Sequence, residues 1–169
     1  MTTGTDGDDF TRYRQQVAMA VDFLRARLPV APEVVIQLGT GLGGFADSVE
    51  ALCRLSYDDI PGFPPATVAS HHGNLILTQI HGKKIAILQG RFHYYEGYSA
   101  AMVALPVRVL SLLGAKTLIV TNASGGLNLA FKPGGMMLVR DHLYFLPDNP
   151  LRGPDVAAWG PRFPDLSQE

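Results

Sequence analysis

Two short apolar runs in this chain each end in a glycine-rich loop: residues 34–44 read VVIQLGTGLGG and residues 117–126 read TLIVTNASGG. A brief, nearly continuous apolar run is the pattern of a strand buried on both faces, as in parallel sheets. Open α/β sheets bind their ligands in the loops that follow the carboxyl ends of such strands. The pair of runs therefore constrains the chain to an α/β architecture with a site where the two loops meet. Glycine leaves backbone N–H groups uncovered, free to converge on an anion. Thr40 adds a hydroxyl to the first loop, and the second is small at Ala123.

The rest of the chain supplies elements around these runs. Val17, Val21, Leu24 and Leu28 recur at helical spacing, with Pro29 and Pro32 ending that helix. The ten residues at the start, MTTGTDGDDF, are small, polar and acidic and read as a disordered leader, leaving residues 11–169 as a single domain. Residues 57–73, YDDIPGFPPATVASHHG, read as a long loop. Leu75–Ile80 and Ile85–Leu88 flank a glycine-containing turn and predict a β-hairpin. Ser99 is placed to cap a helix through Met102, Leu105, Val109, Leu110 and Leu113, with Gly114 as its terminator and Pro106 as a kink or broken start. Met136–Val139 is a further strand candidate, and from Pro147 onward a proline-rich segment shows no periodicity.

Composition excludes several function classes. With 169 residues, 47% hydrophobic and 17% charged, the chain has the material for one globular core. Fourteen basic against 15 acidic residues give a net charge of -1, so no basic face marks a nucleic-acid or anionic-membrane partner. The single Cys53 forms no internal disulfide or cysteine zinc cluster, and no signal sequence or membrane-length apolar stretch is present, which makes the cytoplasm the expected compartment.

Between the loops lies GRFHYYEG, residues 90–97, where strand-like alternation places Arg91, His93 and Tyr95 on one face. The guanidinium fork of Arg91 matches phosphate or carboxylate, and His93 offers a proton-linked hydrogen bond near neutral pH. A phosphate cradle follows from these groups with Thr40 and the amides around Ala123. Taken singly, each residue also has a bland reading: glycine loops as turns, Arg91 as an ion-pair partner, the tyrosines as hairpin residues.

Two other sites compete with that cradle. Gly39, Gly41 and Gly44 satisfy G-x-G-x-x-G, but a dinucleotide site also needs a second parallel strand ending in an acid about twenty residues on. Asp58 and Asp59 stand there in YDDIPGFPP, whose prolines favour a loop. His71, His72, His93, His142, Glu96 and Asp141 are metal-ligand types, yet no H-E-x-x-H, H-x-H or cysteine pair spaces them as a site, so no metal is expected.

LGTGLGGF, IPGFPPATVASHHG, LQGRFHYYEGY, LLGAKTLIVTNASGGLN, RDH and NPLRGP with RFPDLS resemble the trimeric purine nucleoside phosphorylases in order and spacing, from about Leu24 to the last residue. The resemblance implies a three-layer α/β fold with a mixed, partly barrelled sheet flanked by helices. It implies phosphorolysis of inosine or guanosine, or their 2'-deoxy forms, to free base and (deoxy)ribose 1-phosphate, by a homotrimer needing no cofactor. Residue by residue, it implies that Thr40, His71, Arg91, His93 and the Ala123 amide hold phosphate, and that Tyr95 meets the ribose. By the same resemblance, His71, His93 and Glu96 are the catalytic group, Glu96 chiefly orienting the loop histidine, and Phe163 is lent to a neighbouring subunit's nucleoside. His72 falls where the family often has a small residue. Methylthioadenosine phosphorylases share the fold and loops but differ at GRFHYYEGY, and rank second.

Members of that family continue past RFPDLS into an E-M-G-T motif and a later asparagine that meet the purine. The sequence is therefore expected to be a gene fragment or cut chain of an active enzyme, incomplete at its C-terminus. Two further readings stay open at this point: a non-catalytic phosphate-binding or subunit-interaction fragment, and a nucleotide-cofactor enzyme.

Overall fold

The computed structural model describes residues 6–64 and 73–165. Helix α1 (Asp6–Arg27) is followed by strand β1 (Val34–Gln37), a short helix α2 (Gly43–Asp47), strand β2 (Ala51–Ser56) and the hairpin β3 (Asn74–Ile80) and β4 (Lys83–Gln89). Helix α3 (Ala100–Leu112) and strand β5 (Thr117–Val120) complete the regular elements, apart from single 3-10 turns at Tyr57–Asp59, Tyr94–Glu96 and Ala157–Trp159.

The strands form one five-stranded sheet in the order β2-β3-β4-β1-β5. It is mixed: β1 runs parallel to both β4 and β5, whereas β3 is antiparallel to β2 and β4. Over these five strands the sheet is unclosed, with β2 and β5 at its edges. Alternation along the strands feeds two apolar layers. Val35, Leu75, Ala86 and Leu88 pack on one face with Val17, Ala20, Leu24, Leu105, Val109 and Leu110 of α1 and α3. Ile36, Ile76, Ile85 and Ile87 face the other way and pack with Leu38, just past β1, and with Ala46 of α2. The result is three layers, helix, sheet and helix, with the thicker core under α1 and α3.

Several elements differ from the sequence expectation. Helix α1 begins at Asp6, inside the stretch read as a leader. Asp8 and Asp9 lie in its first turn, where negative charge is favoured by the helix dipole, so acidity here starts a helix. Helix α3 runs continuously through Pro106, which is buried beside Leu105 and Val109. Ser99 caps it as expected, its Oγ accepting from the Met102 N–H at 3.3 Å, and Gly114 follows its end with φ of 122°. Strand β2 was not anticipated, because its edge position leaves ALCRLS without clean alternation. Met136–Val139 forms no strand: the segment lies exposed and pairs with no described strand. No helix among the described residues is long and apolar enough to cross a membrane.

Glu33 fixes the register where the parallel strands begin. Its backbone N–H donates to the Lys84 carbonyl at 2.8 Å, and its carbonyl accepts from the Lys116 N–H at 2.9 Å. Its carboxylate accepts from the Lys84 N–H at 3.0 Å and from the Lys83 ammonium at 3.3 Å. These bonds, the Lys84 amide first, hold the carboxyl below its ordinary range. A depressed carboxyl stabilises the fold at neutral pH and loses that contribution as pH falls through its folded value. Glu33→Gln is expected to lower the melting temperature at pH 7. The gap to the parent should narrow as pH drops below about 4, the ordinary carboxylate range; thermal melts across that range check it.

Candidate active site

Strands β1, β4 and β5 run parallel, so their carboxyl ends and the segments that follow lie side by side. Thr121, one residue beyond β5, joins them. Its hydroxyl accepts from the Gly39 N–H at 2.8 Å and donates to the Gln37 carbonyl at 3.2 Å, while its own N–H donates to the same carbonyl at 3.0 Å. The two glycine loops approach so closely that a Cβ on Gly39 would stand 2.4 Å from the Thr121 carbonyl oxygen and 2.8 Å from the Asn122 Cα. Only a residue without a side chain fits there.

The segment after β4 crosses to the same place. Arg91 donates through Nη1 to the Thr121 carbonyl at 3.0 Å and through Nε to His93 Nε2 at 3.3 Å. With Nε2 accepting, the neutral imidazole carries its proton on Nδ1, 3.0 Å from Glu96 Oε1. Glu96 Oε2 also accepts from the His93 N–H at 3.2 Å, so one carboxylate fixes both the ring and the backbone of His93. The Tyr95 ring stacks on the His93 ring with centroids 4.7 Å apart and is otherwise open to solvent at 82% exposure. The expected clustering of Arg91, His93 and Tyr95 is present, although residues 91–93 have no regular structure and Tyr94–Glu96 forms a 3-10 turn, not a strand.

What aims Arg91 and His93 outward is the residue between them. Phe92 is buried in a ring cluster with Tyr57, Phe63 and Tyr98. Arg91 and His93 on either side of it are only half-buried, so burial alternates across the three residues. Tyr57 holds the start of the segment: its hydroxyl donates to the Gly90 carbonyl at 2.9 Å, and burial pushes the phenol well above its ordinary pKa. Its backbone N–H donates to the Gly73 carbonyl at 2.9 Å. Gln89, at the end of β4, donates to the Gly43 carbonyl and to Asp47, both at 3.2 Å, and so ties α2 and the first glycine loop to the sheet.

Of the other anticipated residues, Thr40 is exposed at the tip of the first loop and Ala123 is exposed in the second. His71 and His72 lie outside the described residues. Phe163 belongs to a different part of the chain, a segment held against α1 and α3, and is 88% exposed. Asp141 and His142 sit on the exposed stretch after β5, and among the described residues no three His, Cys, Asp or Glu gather as a metal site. Asp58 and Asp59 lie on a turn after β2, at the sheet edge remote from β1 and antiparallel to its neighbour, so the parallel unit of a dinucleotide site is missing among the described strands. Thr121 and Tyr57 were not singled out by sequence. A hydroxyl directly after an apolar strand was the available signal for Thr121; Tyr57, inside a stretch read as loop, offered none.

The arrangement gathers a fork of donors, an imidazole with the Glu96 carboxylate behind it and two glycine loops. It suits an anion with several oxygen acceptors. Gly39→Ala is expected to cost about 1–3 kcal/mol by overpacking the loop junction. Gly43→Ala, where nothing lies within 4 Å of the added Cβ, should cost far less. Urea unfolding of the two variants checks the contrast.

Residues 33–169 match the family model described as "Phosphorylase superfamily". The chain is 46% identical over 155 residues to purine nucleoside phosphorylase 1 of Geobacillus stearothermophilus, covering 92% of this chain and 57% of that protein. Among solved structures it is similar to Schistosoma mansoni purine nucleoside phosphorylase isoform 2 in complex with cytosine and ribose-1-phosphate, with TM-score 0.82 and 43% identity over 90% of this chain and 55% of that one. The Schistosoma mansoni purine nucleoside phosphorylase in complex with inosine gives TM-score 0.81 and 43% identity, over 90% and 54% of the two chains. The chain thus spans about half the length of the curated relatives it matches.

Proposed function

The chain belongs to the phosphorylase superfamily, and on that premise we propose that it is part of a purine nucleoside phosphorylase, cleaving inosine or guanosine with inorganic phosphate. The observation that carries this reading is the convergence of Arg91 and His93 with both glycine loops at the carboxyl ends of three parallel strands. Relatives solved with inosine and with ribose-1-phosphate support the choice of substrate and product.

In this reading phosphate lies between the loops, held by the remaining donors of Arg91, the Thr40 hydroxyl, the Ala123 amide and His71. His93 lines the same place, its ring held through Nδ1 by Glu96. Tyr95 presents its exposed ring to the ribose. As the N-glycosidic bond lengthens, its electron pair leaves with the purine and positive charge grows on the sugar, as in glycoside cleavage. The phosphate dianion stabilises that charge and then bonds through one oxygen to the anomeric carbon. The products are ribose 1-phosphate and a purine that takes up a proton. Neither a metal nor an organic cofactor has a step in this scheme, phosphate being a substrate. Phe163, exposed and apart from this cluster, is assigned to a neighbouring subunit's nucleoside in a homotrimer, and the compartment proposed is the cytoplasm.

The test is phosphate-dependent release of hypoxanthine from inosine by the protein carried to the end of its reading frame. Folded protein without turnover overturns the proposal. Arg91→Ala removes charge-assisted hydrogen bonds of about 1.5–3 kcal/mol, so kcat/KM for phosphate should fall roughly 10- to 150-fold. Phe163→Ala should raise the KM for inosine and leave that for phosphate near its parent value; steady-state kinetics with each substrate varied in turn checks both.

A further inference from the structure

We propose that Trp159 and Arg108 are a positioning pair that sets where Phe163 is presented, an inference that rests on the nucleoside role proposed for Phe163. The segment 148–162 is fastened at successive points. Asp148 Oδ2 accepts from the Ala100 N–H at 3.1 Å, at the start of α3. Arg108, on α3, donates to the Pro150 carbonyl at 3.4 Å. Arg162 donates to the Gly153 carbonyl at 2.5 Å, closing the segment on itself.

A further grip is aromatic. The Arg108 guanidinium lies 4.2 Å from the centroid of the Trp159 ring, and its Nη1 donates to the Tyr13 hydroxyl at 2.8 Å. Tyr13 and Phe10 of α1 meet the indole edge to face, with centroids 5.8 Å and 6.0 Å away. Tyr13 in turn donates to the Ala101 carbonyl at 2.8 Å, so α1, α3 and the indole are locked together. A turn closed by the Trp159 N–H on the Val156 carbonyl at 2.8 Å stiffens the backbone at that point.

Phe163 follows Trp159 by four residues, a reach of at most about 14 Å. Its ring is 88% exposed and makes no ring contact with the cluster around Trp159. An exposed aromatic on a loose segment must be ordered when it meets a ligand, and prior ordering of the backbone removes part of that cost. The clamp supplies that ordering without touching the nucleoside.

The experiment uses the full-length gene product with Trp159→Ala, Phe163→Ala and the double variant, and Trp159→Leu should the alanine variant fail to fold. Losing an exposed to half-buried cation–π contact predicts a rise of about two- to five-fold in the KM for inosine. The KM for phosphate should stay unchanged, Trp159→Phe should restore the parent value, and the double variant should be no worse than Phe163→Ala. The difference in emission between parent and Trp159→Phe isolates this indole; inosine should shift it and phosphate alone should not. Equal rises in both KM values, or multiplying effects in the double variant, overturn the clamp while leaving the phosphorylase reading intact. Full inosine affinity in Phe163→Ala overturns the nucleoside role of Phe163 and the clamp with it.

Discussion

The contact between Gly39 and Thr121 is the constraint on which the site depends. Parallel strands bring their carboxyl ends together but do not by themselves bring their loops within bonding distance. Here the absence of a side chain at Gly39 lets the backbone of one loop lie against the carbonyl of the other, and the Thr121 hydroxyl closes the gap. The Thr121 carbonyl then accepts from Arg91, so the third strand's segment is hung from the same residue. On a sheet that brings the strand ends together, loop junction and guanidinium placement are successive consequences of one close approach.

Around that junction the chain separates holding from presenting. Phe92, Tyr57 and Gln89 face inward or along the sheet and hold the backbone, while Arg91, His93 and Tyr95 face outward. Glu96 belongs to both groups, because it bonds the backbone of His93 and fixes its tautomer. Such division suits a reaction in which little of the protein takes part covalently and most of the rate comes from where phosphate is placed.

Much of this was legible in the sequence because it follows from short-range rules. Val34–Gln37 and Thr117–Val120 read as strands from continuous apolar residues, Ser99 and Gly114 bracketed α3, and alternation put Arg91 and His93 together. The reason for that alternation was not legible: it comes from Phe92 being drawn into a cluster with Tyr57 and Phe63, residues about 30 positions away. Edge strand β2 was missed because a weak local pattern was decided by its tertiary partner β3, and the start of α1 because the acidic residues read as a leader favour a helix N-terminus. Met136–Val139 shows the converse, an apolar run that needs a neighbouring strand to become one.

In the proposed reaction the cradle delivers phosphate as the nucleophile toward the sugar. Phosphorus-31 NMR of the full-length gene product mixed with inosine and inorganic phosphate tests this most directly. The inorganic phosphate signal is expected to decline as a sugar 1-phosphate resonance grows in step with hypoxanthine. Release of hypoxanthine with no change in the phosphorus spectrum would make water the nucleophile and contradict it.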